Sequence, residues 1–254
     1  MFAREHARRS AARLAIGISP CQSTAPSVEE MVLADRKDKG PLIAVDGPAA
    51  SGKGTIARAL AAHFGLPHMD TGLLYRAVAL NLWRWGGDPA SEFEALRAAD
   101  MLNLDPQDEE VRSEPVSRIA SAVSAYPSVR AALLNRQQEF AGQPGGAVLD
   151  GRDIGTVIAP DAEVKLFVTA SPEVRAQRRV RELLERGMPG HYDDVLTDIR
   201  ARDERDRSRV VAPLKPANDA IILDTSNLDR EAAIAEAIRL VEQRLTEVHM
   251  DQRT

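Results

Sequence analysis

The chain has 254 residues, 44% of them hydrophobic and 28% charged, a composition of ordinary globular proteins with material for one large domain or two small ones. A formal net charge of −5 gives no general reason to expect nucleic-acid binding, and a single cysteine, Cys21, excludes an intrachain disulfide and a cysteine-rich metal site. No apolar run reaches transmembrane length, so a cytoplasmic protein without a membrane partner is expected.

Residues 1–38 differ in character from the rest of the chain. MFAREHARRSAARLAIGISP carries Arg and Ser with few acids, and CQSTAPSVEE and DRKDKG read as linker. Transit segments have such a composition, but arginine is common throughout this chain. A disordered extension is therefore expected, or an upstream start with the working chain beginning near Met31, followed by a single domain over 39–254.

From residue 41 short apolar runs alternate with helical periods. PLIAVD reads as a buried strand ending at Asp46, IARALAAHF as a helix, and LLYRAVALNLWRW as a second, amphipathic helix. Residues 91–140 read as helical, broken by LDPQDEEV and by Ala125-Tyr126-Pro127. GGAVLD and VKLFVTA are continuous apolar runs, as parallel strands covered on both faces require. Ser171 caps a helix with Pro172 at its first position. AIILDT is a further strand, and Asp229 caps a closing helix with Ala233, Ile234, Ala237, Ile238 and Val241 on one side. The alternation predicts an α/β fold with a parallel sheet flanked by helices, and the long helical stretch between the first helix and GGAVLD reads as an insertion at about 70–140.

Four stretches carry chemistry. VDGPAASGKGT places Gly47, Gly52 and Lys53 in the G-x4-G-K spacing of a phosphate loop, from a predicted strand into a predicted helix. Such a loop offers a polyphosphate backbone N–H groups and a helix N-terminus, and Lys53 adds the charge. Gly54 stands where the common pattern has Ser or Thr, with Thr55 one residue later. The second stretch, Asp70-Thr71-Gly72-Leu73-Leu74-Tyr75-Arg76, places an arginine one turn into a helix. Third, Asp150-Gly151-Arg152-Asp153 comes directly after a strand, so it faces the crevice at the carboxyl ends of the sheet. Asp150 ends that strand as a magnesium-ordering carboxylate would, acting through water and not as a direct ligand. Fourth, in Arg202-Asp203-Glu204-Arg205-Asp206-Arg207-Ser208-Arg209 helical spacing puts Arg202, Arg205, Asp206 and Arg209 on one face. Taken singly, each of the last three has a plainer reading: a surface arginine, a polar turn, and a solvated helix face laced with ion pairs.

Together, and in this order, these residues resemble the bacterial cytidylate kinases over about residues 41–245. The spelling GxxxxGKGT resembles the nucleoside monophosphate kinases, in which the metal rests on nucleotide phosphates and water and no hydroxyl need come after the lysine. The resemblance implies a P-loop nucleoside monophosphate kinase fold with an acceptor-binding insertion and a short lid at about 175–195. It implies ATP and Mg2+ on the donor side, held by Gly47, Pro48, Ala49, Ala50, Ser51, Gly52, Lys53, Gly54 and Thr55, with the lid arginines Arg178 and Arg179. It implies CMP or dCMP as acceptor. Thr71, Arg76, Arg152 and Arg209 then serve the acceptor phosphate, Arg202 and Asp206 the sugar, and Ser121, Arg130 and Asp153 the cytosine. Lys53, Arg152 and Arg209 carry the transfer, in a monomer. The family's long form has a β-rich insert before the segment that carries Ser121 and Arg130. Here only MLNLDPQDEEVRSEP occupies that region, a trimmed form that bears on lobe closure and on selection of cytosine over uracil. A P-loop kinase for another small acceptor, such as shikimate, shares the core but does not account for DGRD together with RDxRDRxR. A non-enzymatic nucleotide switch does not account for the acceptor-side arginines.

Overall fold

A computed structural model describes residues 40–102 and 108–251. The expected N-terminal extension lies outside the described residues, as do residues 104–107 of the expected helix break LDPQDEEV.

Five strands form one sheet in the order β2-β3-β1-β4-β5, and every neighbouring pair is parallel. They are β1 (Leu42–Asp46), β2 (His68–Asp70), β3 (Ala147–Gly151), β4 (Val164–Thr169) and β5 (Ile221–Asp224). The runs PLIAVD, GGAVLD, VKLFVTA and AIILDT thus become strands, slightly shortened. GGAVLD loses its two glycines because Gly145 and Gly146 take φ of 86° and 81° in the turn that leads into β3. β2 has no counterpart among the strands expected from sequence. It is three residues long, half-buried and partly polar at the edge of the sheet, so it offers no apolar run to recognise.

Alternation along β1 explains the layers. Ile43 and Val45 face α1 (Lys53–Phe64) and α8 (Arg230–Asp251), where Leu60, Leu166 and the expected stripe Ala233, Ala237 and Val241 complete the core. Ala44 faces the opposite side, with Leu149, Ile154 and Ile158. Asp229 caps α8 through the Ala232 N–H at 2.7 Å, and Ser171 caps α6 (Pro172–Glu185) through the Val174 N–H at 3.3 Å. Each such cap contributes about 1 kcal/mol.

The helical stretch after β2 resolves into α2 (Thr71–Arg84), α3 (Glu92–Asp100), a short 3-10 turn (Glu109–Arg112), α4 (Glu114–Val123) and α5 (Pro127–Ala141). These build a core of their own from Leu74, Val78, Leu82, Ala95, Val111, Val116, Val123 and Leu133. The chain then returns through β3, and α6 and α7 (Tyr192–Ser208) form a helical hairpin whose turn contains Gly187 at φ 70°. Strand register sets the chemistry: Asp70 pairs with Asp150, Val45 with Asp150, and Asp46 with Gly151. The glycine loop, the DTG turn and the DGRD turn therefore leave the sheet side by side, at its carboxyl edge.

Candidate active site

β1 ends at Asp46, and the chain turns through Gly47–Gly52 into α1. A Cβ at Gly47 would stand 2.0 Å from the Val168 carbonyl oxygen of β4, so only glycine allows the loop to leave the strand here. Ala50 (φ 58°) and Gly52 (φ 89°) take left-handed conformations, and Gly52 caps α1 with no side-chain acceptor for its first N–H groups. A helix that opens in this way presents its orphan donors to an anion. Ser51 is fully buried, and its hydroxyl has no hydrogen-bond partner among the described residues.

Lys53 is half-buried, its Nζ 3.5 Å from the Pro48 carbonyl. Burial, followed by the neighbouring Arg152 and against the pull of Asp150 and Asp70, lowers its ammonium to about 8. A bound triphosphate supplies the missing counter-charge and returns the group toward its ordinary value. ATP binding is therefore expected to take up a proton above pH 8, with affinity weakening as pH rises through that value. Titration calorimetry at about pH 8.5 in two buffers of different ionisation enthalpy measures this directly; Lys53→Arg, which stays charged, is expected to abolish the uptake.

Across the cleft from Lys53 lie Thr71, Tyr75 and Arg76 of α2, Ser121 of α4, Ser124, Arg130 of α5, the turn Asp150–Asp153, and Arg202, Asp206 and Arg209 at the end of α7. All nine residues expected on the acceptor side thus line one cleft with the lysine. Asp206 is buried and accepts from Arg152 Nε at 2.9 Å and from Arg209 Nη2. Burial pushes its carboxyl up, but Arg152, Arg209 and Arg202 together hold it below the usual range. Arg130 pairs with Asp153 and lies over the Tyr75 ring, 5.6 Å from its centre. Among the described residues Arg76 and Arg202 have no carboxylate within ion-pair distance. Burial, then Arg152 and Arg76, lowers Arg202 to about 10 against the pull of Asp206, so this wall carries more cation than it neutralises. An anion would relieve that repulsion.

Gly54 has room to spare: a Cβ there would lie 3.5 Å from Asp150 Oδ2, an ordinary contact. The other oxygen, Oδ1, is 2.8 Å from His68 Nε2, and Thr71 Oγ1 donates to the Asp150 carbonyl at 2.9 Å. One carboxylate oxygen therefore faces the start of α1 in the space that a hydroxyl would otherwise enter. No group of three or more His, Cys, Asp or Glu side chains suited to a metal occurs among the described residues. A divalent ion fits here through water on Asp150 and through nucleotide oxygens, and not as a caged ion.

Arg178 and Arg179, the arginines expected in a lid, are already engaged. Arg178 donates to Thr225 Oγ1 at 3.0 Å, to the Thr225 carbonyl at 2.6 Å and to the Leu228 carbonyl at 3.2 Å. Arg179 pairs with Glu114 and with Glu182. Both line a second cleft with Ala50, Ser51, Gly52 and Thr55, and Arg179 also lines a third with Lys53, Arg76, Arg152 and Arg202.

Several links around the cleft were not read from sequence, and Asp46, Ser124 and Arg205 were given no role there. Asp46 accepts from the N–H groups of Ile154 and Gly155, each at 2.8 Å, and so fixes the π-helical turn Ile154–Ile158 that comes after DGRD. Burial raises Asp46 to about 7 against these two bonds. Arg205 donates to Ser121 Oγ at 3.0 Å, and Arg209 to Ser124 Oγ at 2.9 Å. These links join residues far apart in the chain, and only an aspartate ending an apolar strand, as at Asp46, leaves a mark in the sequence.

The Cytidylate kinase family matches residues 43–243. A cytidylate kinase of Xanthobacter autotrophicus is 60% identical over 205 residues, which span 80% of this chain and 98% of that protein. One of Methylocella silvestris is 60% identical over 202 residues, covering 79% and 94%. A third, from Azorhizobium caulinodans, is 55% identical over 204 residues, covering 80% and 98%.

Proposed function

The chain belongs to the cytidylate kinase family and is an ATP-dependent kinase of CMP and dCMP, and we propose that Lys53, Arg152 and Arg209 carry the transfer. One observation supports this assignment above the rest: the lysine of the glycine loop and the arginines of four separate segments line a single cleft. The γ-phosphoryl group of ATP moves to an oxygen of the acceptor phosphate, giving ADP with CDP or dCDP. That oxygen is already anionic, so no strong general base is needed, and no covalent enzyme intermediate forms.

Catalysis is then positioning and charge neutralisation. Lys53 and the N–H groups of Gly47–Thr55 bind the donor phosphates. Arg76, Arg152 and Arg209 hold the acceptor phosphate, with Thr71 beside it. Arg is suited to this because its planar fork binds two oxygens at once. Arg202 and Asp206 address the sugar; Ser121, Arg130 and Asp153 address the base. Mg2+, held through water by Asp150, would neutralise charge on the transferred group. The segment 175–195 acts as the lid over the single kinase domain 39–254, Arg178 and Arg179 belong to the donor side, and the insertion 70–140 binds the acceptor. We also propose a cytoplasmic monomer; among the described residues no helix is long and apolar enough to cross a membrane.

The test is ADP release from magnesium-ATP with CMP, dCMP, UMP, AMP or shikimate as acceptor, and Lys53→Met as control. Turnover is expected to be strongest with CMP and dCMP and lost in the control. Preference for AMP or shikimate would overturn the reading of the acceptor residues.

A further inference from the structure

Arg175 stands in the first turn of α6 and is only 1% exposed, the bulkiest of the fully buried side chains among the described residues. A guanidinium so deep is tolerated only when its donors are met. Its Nε donates to the Ala170 carbonyl at 2.9 Å, its Nη1 to the Ala49 carbonyl at 3.1 Å and to Asp203 Oδ1 at 2.9 Å, and its Nη2 to Asp203 Oδ2. Ala49 belongs to the glycine loop, directly before Ala50 in its left-handed conformation. Asp203, 3% exposed, lies on α7 next to Arg202 and three residues before Asp206, both of which line the acceptor cleft. One side chain therefore grips the donor loop and the acceptor helix together.

We propose that Arg175, through Asp203, is a positioning residue that fixes the distance between donor and acceptor phosphates. It lines neither the acceptor cleft nor the second cleft. An apolar pair would fill the same space with little loss of stability, but would hold no carbonyl of the loop. In-line transfer needs the reacting atoms within about 3–3.5 Å, and a displacement of about 1 Å costs about 10²-fold in rate. Loosening this tie should thus slow the step and leave each binding site intact.

The inference rests on the cytidylate kinase reading, and the wild-type protein is the reference: absence of CMP turnover there would count against that reading alone. Three quantities are measured: the melting temperature, the separate dissociation constants of CMP and of a non-hydrolysable ATP analogue, and kcat at saturation. In the double variant Arg175→Met with Asp203→Leu, which strands no buried charge, each constant is expected to stay within about 3-fold and kcat to fall about 30-fold. Arg175→Lys keeps a charge opposite Asp203 but cannot also reach Ala49, and about a 10-fold fall in kcat is expected with both constants held. If the double variant does not fold, the lysine variant decides alone. A kcat within about 3-fold of wild type in the folded variants, whatever the melting temperature, would overturn the proposal, as would losses in both constants equal to the loss in kcat.

Discussion

Replacing Lys53 by methionine is expected to lower turnover about 10³-fold and to raise the melting temperature of the empty protein. The two effects have one cause. On the proposed reading Lys53 serves the donor phosphates; without them its charge is half-buried beside Arg152, and burial first, then Arg152, lowers the ammonium to about 8. A lysine lowered on folding destabilises the folded chain fully below its folded pKa. That penalty fades as pH rises from about 8 toward the ordinary lysine value. After discounting for solvent, the gain at pH 7 is on the order of 1 kcal/mol, or about 2–4 °C. Differential scanning fluorimetry between about pH 7 and 10 checks this: the advantage of the variant should shrink above pH 8. A fall of several degrees at neutral pH would mean that Lys53 supports the fold.

Asp206→Asn should act in the opposite way on stability. The carboxylate joins Arg152 and Arg209 while almost wholly buried, and its loss leaves those two cations facing Arg202 without a counter-charge. Removing one partner of a buried pair costs about 3 kcal/mol. Acceptor kcat/KM is expected to fall about 10²–10³-fold through misplacement of the arginines and loss of the proposed sugar contact, with ATP affinity little changed. Sulfate separates this reading from general damage. It should raise the melting temperature of the variant more than that of the wild type, because an anion replaces the missing charge. Equal shifts would show that the arginines are not released. The depressed Asp206 carboxyl also contributes stability present above its unfolded value near 4 and lost as pH falls through its lower folded value. Denaturation curves of the variant should lack that part of the acid limb.

Much of this site was legible because its chemistry is locally encoded. A glycine loop must run from a strand into a helix, so Gly47–Lys53 announces both elements, and DGRD begins at the end of β3. Apolar runs placed four strands: β1, β3 and β4 because they are covered on both faces, and β5 because its run IIL stays apolar although Ile222 is exposed at the sheet edge. β2 escaped because His68 and Asp70 face polar neighbours at the sheet edge, where no apolar pattern is needed. The Arg175–Asp203 tie escaped for another reason. Its partners are 28 residues apart, and its grip on Ala49 spans 126. Within RDERDRSR the two aspartates look equivalent, yet Asp206 faces the cleft and Asp203 faces the interior. Helical periodicity gave the face that Asp206 shares with the arginines, but not that Asp203, on the flank of that face, is buried as deeply.

The uncompensated cations around Arg76 and Arg202 bear on the life of the protein between catalytic cycles. A ligand that binds only the folded chain stabilises it by RT ln(1 + [L]/Kd), about 2.7 kcal/mol at a hundredfold excess over Kd. Here the gain is concentrated where like charges meet, so the empty form is the one that opens most readily. Proteases act on opened molecules, and their access scales with that population. Cleavage of the purified protein by an added protease should therefore slow as nucleotide is supplied.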